Sequence, residues 1–259
     1  MPAPRCRIRT ARLAGVGKPI QVDDTPPSHG LWCHFNSLRS SSARGFRTVV
    51  VRHPLNTTDF SSFLLQAQAS KAKVVALANA GGDTTNAVKQ AAEFGISRGG
   101  QKLAGLVFII NNVHALGVEA AQGLYAVSPF YWDMNDKTRA WSRRYQALHP
   151  NRNMPNEMQA GVYAAVWHYL KAVRSLDGET SGDRVVAKMK ELRTDDPLFG
   201  KGDIRADGRK LHPMYLLEVR APSEAREPWS YFKIAGTIPA DAAFRPLSEG
   251  SCPLVAKSK

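Results

Sequence analysis

Residues 49–95, VVVRHPLNTTDFSSFLLQAQASKAKVVALANAGGDTTNAVKQAAEFG, constrain the fold more than any other stretch. A β-branched run at 49–51 precedes an amphipathic pattern in which Phe60, Phe63, Leu64 and Ala67 recur at helical spacings of three and four. A second apolar run, 74–78, reads as a buried strand, and another helical pattern starts directly after residues 79–83. Strand, helix, strand, helix at this spacing predicts a parallel sheet with crossover helices. Ligands of such sheets lie outside the carboxyl ends of the strands. The turn Asn79-Ala80-Gly81-Gly82-Asp83 is therefore the first place to look for a site.

Composition narrows the alternatives. The chain has 259 residues, enough for one large domain or two small ones, and a hydrophobic content of 43% argues against global disorder. No apolar run reaches the length of a membrane span, and residues 1–28 show no apolar core of a secretory leader. Cys6, Cys33 and Cys252 are scattered without a C-x-x-C, so neither a zinc ribbon nor a redox motif is suggested. The net charge is +13, and residues 1–48 alone hold eight Arg or Lys against two Asp. A nucleic-acid interface would show a basic face with interleaved aromatics or a known module. Neither is present, so the charge reads as a solvated basic surface with no nucleic-acid partner.

Residues 1–45 differ from the rest. They are rich in Arg, Ser and Pro, lack any sustained period, and are expected to form an irregular, disordered basic arm. Order is expected from residue 46. Thr57, Thr58 or Asp59 can cap the helix at 60–69, and Gly95 is a suitable stop for the second helix. The continuous apolar run 103–110 predicts a third strand buried on both faces, with Asn111-Asn112 turning the chain. A short helix is expected at 115–121 and a fourth strand at 124–127. The loop 128–135 carries Phe130, Tyr131 and Trp132, which read as packing residues. Helices follow at 136–147, 156–173 and 183–192. In the longest, Met158, Val162, Ala165, Val166, Tyr169, Leu170 and Val173 form one apolar stripe. Residues 204–209 turn about Asp207-Gly208 towards a strand at 214–219, and 229–238 reads as a final strand.

Glycines between a strand and a helix let a ligand approach the backbone. The helix N-terminus then offers free N–H groups and the positive end of a dipole. Asp83 or Thr84 serving as N-cap accounts for the same residues, so a plain turn and a ligand contact both remain open. There is no G-x-G-x-x-G, P-loop, G-x-S-x-G or H-E-x-x-H. No catalytic residue, metal or cofactor is assigned. His168 falls within the longest helix and reads as a packing residue. His114 is the one histidine placed for a cleft, but Glu119 lies five residues on, off its helical face.

The residues resemble a family. Asp59-Phe60-Ser61 opening a helix, the 79–83 turn, Lys89-Gln90-Ala91-Ala92-Glu93-Phe94-Gly95, Glu119 with Gln122-Gly123-Leu124, Gly161-Val162-Tyr163-Ala164-Ala165, and the return through Asp207-Gly208-Arg209 carry the likeness. In this order and spacing they resemble the type 1 periplasmic solute-binding proteins of ABC transporters, most closely the leucine/isoleucine/valine-binding-like receptors. The resemblance implies an α/β, periplasmic-binding-protein-like type 1 fold spanning 46–255. Residues 46–130 would form most of the second Rossmann-like lobe, a parallel sheet with flanking helices. Residues 156–195 would be first-lobe-type helices, and 203–238 the return strands.

The resemblance also implies a substrate-binding component of an importer, which holds a small solute, delivers it to a membrane permease and works in the periplasm. With no leader visible, the chain as given would stay in the cytoplasm. Ligand contacts would fall at Asn79, Ala80, Gly81, Gly82, Phe108 and Asn111. The family's aromatic is replaced by Ala80, and Asn111-Asn112 stands where an acid would pair with a ligand ammonium. An amide, or an aliphatic or aromatic carboxylate, therefore fits better than an α-amino acid. Family members are longer, and the counterpart of the first lobe's sheet is not seen, so an N-terminally truncated version is expected. The 156–173 stripe would then lack its cover and favour self-association or pairing with another chain. Two other readings stand beside this one. One is a regulatory or oligomerisation module of the same fold. The other is an α/β enzyme using His114 with Asp83 or Glu119.

Overall fold

The computed structural model describes residues 50–249 and 252–255, and the backbone of a short strand pair, β1 (Arg7–Ile8) with β2 (Val22–Asp23). Apart from those four residues, the arm expected at 1–45 lies outside the described residues. The chain divides into two compact units. The first holds the described residues up to Val127 together with Leu216–Gly236. The second holds Ser128–Tyr215 and the described residues from Thr237 on. The chain passes from one unit to the other three times.

The first unit has the alternation of helices and strands that the sequence predicts. Helix α1 (Ser61–Ala69) leads to β3 (Val74–Leu77), α2 (Gly81–Glu93) and β4 (Lys102–Gly105). Helices α3 (Ile110–Leu116) and α4 (Val118–Ala121) then lead to β5 (Tyr125–Ser128). Strand β3 runs parallel to β4 with Val75 opposite Leu103, and β4 parallel to β5 with Gly105 opposite Ala126. Strands β8 (Met214–Val219) and β9 (Phe232–Ile238) complete a five-stranded, mostly parallel sheet ordered β3-β4-β5-β8-β9. Phe60, Leu64, Ala87, Val88, Ala91 and Leu103 are buried, each large side chain contributing roughly 1.5–3 kcal/mol.

Four expectations are corrected in this unit. Residues 50 and 51 are not in a strand; among the described residues β3 is the edge of the sheet. Thr57 and Thr58 do not cap α1; Asp59 does contribute, its Oδ1 accepting the Ser61 N–H at 2.9 Å, but it lies one residue before the N-cap. That position is Phe60, whose N–H donates to Gln90 Oε1 at 2.7 Å, while Gln90 Nε2 donates to the Thr58 carbonyl at 2.8 Å. The third strand ends at Gly105, and Leu106 and Val107 are exposed. Asn111 and Asn112 lie in the first turn of α3 rather than in a loop. Gly95 does stop α2. It takes φ +67, its N–H reaches the Ala92 carbonyl and the Ile96 N–H reaches Ala91, the paired bonds of a Schellman ending.

The second unit contains α5 (Asp136–Leu148), α6 (Glu157–Ser175), α7 (Gly182–Glu191) and a hairpin of β6 (Thr194–Asp196) with β7 (Gly200–Gly202), then α8 (Ala240–Ala243). The hairpin has no counterpart in the sequence reading. The turn about Asp207-Gly208 forms, with Gly208 at φ +82, but it joins a single bridge between Ile204 and Lys210 and not β8. Phe130, Tyr131 and Trp132 are buried, as expected of packing residues.

Helix α6 buries Ala160, Ala164, His168 and Ala172, one residue per turn, towards α7 and β6. Its large apolar residues point the other way. Val162 is 65% exposed, Leu170 56% and Met158 55%. The stripe read from the sequence exists, and among the described residues nothing covers it.

Candidate functional site

At the carboxyl end of β3 the chain enters α2 within three residues, and the turn is held from several sides. Asn79 is buried; its Oδ1 accepts from Thr84 Oγ1 at 3.0 Å, and its Nδ2 faces the Asp83 carbonyl and His53 Nε2, each at 3.5 Å. Asp83 does not cap α2; it is buried, and its Oδ2 accepts the Asn56 N–H at 3.1 Å. Thus neither Asp83 nor Thr84 is the N-cap. That position is Ala80, in extended conformation and with no side-chain cap. The first-turn N–H groups of α2 therefore have no capping side chain from Ala80, and an uncapped helix start suits an external acceptor.

Ala80, Gly81 and Gly82 are exposed. Gly81 adopts φ +59, where a side chain would be strained, and a Cβ at either glycine would meet nothing within 4 Å. The space in front of the turn is open.

The next strand repeats the arrangement. Beyond β4, Asn112 Oδ1 accepts the Ile109 N–H at 3.0 Å at the start of α3, and its Nδ2 reaches Thr85 Oγ1 of α2 at 3.4 Å. Two helix starts are thus joined side by side at the carboxyl ends of two parallel strands. Asn111 is half-buried beside them. Phe108 is not at the surface. It is buried against Gly105, where a Cβ would come within 2.5 Å of the Phe108 Cβ. The structure thus brings Ala80, Gly81, Gly82 and Asn111 to an accessible rim and places Asn79 and Phe108 beneath it. His53, which the sequence reading did not single out, supports Asn79. Its ring meets Phe60 edge-on at 4.8 Å, and its Nδ1 lies 2.8 Å from the Pro54 carbonyl. No short motif marks that role.

Two residues of the enzyme reading, His114 and Asp83, make contacts of their own. His114 stacks on Trp229 at 3.9 Å and its Nδ1 lies 2.8 Å from the Tyr231 hydroxyl, while Asp83 is committed to Asn56. His168 is buried with Nε2 2.8 Å from the Met189 carbonyl, a packing role. Among the described residues no group of three His, Cys, Asp or Glu is placed to hold a metal ion.

A different concavity belongs to the second unit. A groove of about 630 Å³ runs between α5 and α6, lined by Trp141, Met158, Val162, Val166, Trp167 and Leu170 among others. It is almost wholly apolar and contains none of the residues expected to touch a ligand.

These features match known proteins. Residues 29–225 match the periplasmic binding protein family, and the chain belongs to it. A periplasmic binding protein from Burkholderia mallei is 50% identical, with a TM-score of 0.71 over 79% of this chain and 53% of that one. A branched chain amino acid ABC transporter periplasmic ligand-binding protein from Burkholderia xenovorans LB400 is 38% identical, with a TM-score of 0.72 over 79% and 54%. A solute binding protein of an ABC transporter from Rhodopseudomonas palustris HaA2, in complex with p-hydroxybenzoic acid, shares the fold at 22% identity and a TM-score of 0.64, over 77% and 54%. The chain thus spans about half the length of these relatives. No curated protein matches it.

Proposed function

We propose that this chain is the solute-gripping part of a binding component of an ABC-type importer, working in the periplasm and handing its ligand to a membrane permease. The observation that carries the reading is the open, uncapped start of α2 at the carboxyl end of β3, in a chain of the periplasmic binding protein family. Backbone N–H groups at Gly81 and Gly82 would hold an anionic or carbonyl oxygen, Asn111 would flank it, and Asn79 would keep the turn in place. Phe108 supports the floor. The name of the Burkholderia xenovorans relative favours a branched-chain aliphatic body for the ligand. Asn111 and Asn112, in place of an acid, favour an amide or a carboxylate without a buried ammonium. No chemical step is required of any residue.

The test is a thermal-shift screen over branched-chain amino acids, their amides, and aliphatic and aromatic carboxylates. A binding class present at 100 times its Kd would add about 2.7 kcal/mol of stability. Gly82→Asp should abolish that shift by placing a carboxylate where the ligand's would lie. The unliganded Tm should change little, since a side chain there meets open space. A flat screen would overturn the proposal. The exposed apolar face of α6 favours a second reading, a module used for association, which predicts a defined assembly with no ligand-dependent shift.

A further inference from the structure

The turn into α2 hangs on one buried amide, and one partner of that amide can titrate. Asn79 lies just beyond β3, and its side chain ties the strand to the helix. Its Oδ1 accepts from Thr84 Oγ1, in the first turn of α2, at 3.0 Å. Its Nδ2 has two hydrogens to place and faces two acceptors at 3.5 Å, the Asp83 carbonyl and His53 Nε2. Turning the amide over would set its oxygen against the Asp83 carbonyl, so Nδ2 is the donor in both pairs.

The ring of His53 is fixed by the same reasoning. Its Nδ1 lies 2.8 Å from the Pro54 carbonyl, which can only accept. Nδ1 therefore carries the proton of the neutral ring, and Nε2 keeps the lone pair that Asn79 meets. Phe60 meets the ring edge-on at 4.8 Å and Phe63 at 6.0 Å, which holds it in that direction.

A second proton, on Nε2, turns this acceptor into a donor. Two donors then face each other, and Asn79 is buried away from water that could take its free hydrogen. The charged groups nearby do not repair this. Asp83, on the α2 side, already accepts the Asn56 N–H, and Asp59, before α1, already accepts the Ser61 N–H. Arg52 precedes the histidine in sequence and is exposed. A carboxylate attracts an imidazolium, but it does not remove a clash of donors.

We propose that His53 is a positioning residue for the ligand turn that works only as the neutral imidazole, so that acidification loosens Asn79 and the glycines beside it and weakens solute binding. The effect on the turn needs no ligand. The effect on affinity rests on the solute reading above.

The test follows the unliganded protein by heteronuclear NMR from about pH 8 to about pH 5.5, the range in which imidazoles change charge. At the upper end the His53 ring should carry its proton on Nδ1. As the ring takes up its second proton, the Asn79 side-chain amide and the Gly81 backbone amide should shift with the same midpoint, and the heteronuclear NOE of Gly81 should fall. His53→Gln, which offers an amide oxygen but does not titrate, should make both signals independent of pH. His53→Phe, which keeps the ring packing but has no lone pair, should leave Gly81 mobile at every pH. Isocaproamide, uncharged across this range, is the binding probe. Its Kd should rise at least about tenfold between those two pH values in the parent and no more than about twofold in His53→Gln. Asn79 and Gly81 signals that stay in place while His53 titrates would overturn the proposal, as would a ring protonated on Nε2 at the upper end. If isocaproamide and every compound of the thermal-shift screen fail to bind while the unliganded signals move as described, the solute reading falls and the role of His53 in the turn is supported.

Discussion

Glu157 lies in the first turn of α6, where a helix start should favour a carboxylate. Burial wins instead and pushes its carboxyl up to about 7. The native state therefore binds a proton more tightly than the unfolded chain does. Stability from this group is fully present below pH 4.5 and is lost as pH rises to about 7. Glu157→Gln should raise stability at pH 8 by about 1–3 kcal/mol and change it little at pH 4, read from urea midpoints at the two pH values. Gly105 and Gly82 form a contrasting pair. Gly105→Ala would put a Cβ against Phe108 and should cost roughly 1–3 kcal/mol by overpacking. Gly82→Ala meets nothing and should be neutral or stabilising by up to about 1 kcal/mol. Denaturant titrations of both variants give the comparison.

At the scale of elements, the helices begin in different ways, and their stabilities should follow. Helix α5 starts with Asn135, whose Oδ1 accepts from the N–H groups of Lys137 and Thr138, while Thr138 Oγ1 closes a reciprocal bond to the Asn135 N–H. Ser181 occupies the same position at α7 but makes no side-chain bond to its helix. Asn135→Ala should therefore cost about 0.5–2 kcal/mol, and Ser181→Ala should stay within about 0.5 kcal/mol of the parent. Equal effects would mean that the cap geometry does not govern these ends. Helix α1 is the third case. Its start is tied by Gln90, thirty residues away, so Gln90→Leu should loosen α1 and α2 together, seen as faster amide exchange in both.

At the scale of the molecule, most of the apolar side chains of the first unit's crossover helices are buried, while the long helix of the second shows its larger residues to solvent. That difference predicts where an apolar dye binds. Substituting Val162 and Val166 with Lys and Glu should sharply reduce 8-anilinonaphthalene sulfonate fluorescence. Each change should shift unfolding free energy by no more than about 0.5 kcal/mol, because neither side chain is packed. Unchanged dye binding would place the sticky surface elsewhere.

Periodicity alone determined the alternation of α1, β3, α2 and β4, because half-buried helices and buried strands must repeat their apolar residues at 3.6 or run them together. It also determined the stop at Gly95, which rests on one residue's freedom at positive φ. It could not place the end of β4, since an apolar run does not reveal that Phe108 must fold back over Gly105. Nor could it find Gln90 as the partner of Phe60, or His53 as the support of Asn79, because those pairs are distant in sequence and made by packing. The stripe on α6 was legible as apolar. Only the tertiary structure decided that Ala160, Ala164 and Ala172 face inward and the larger residues outward, since burial depends on what lies opposite a face and not on the face itself.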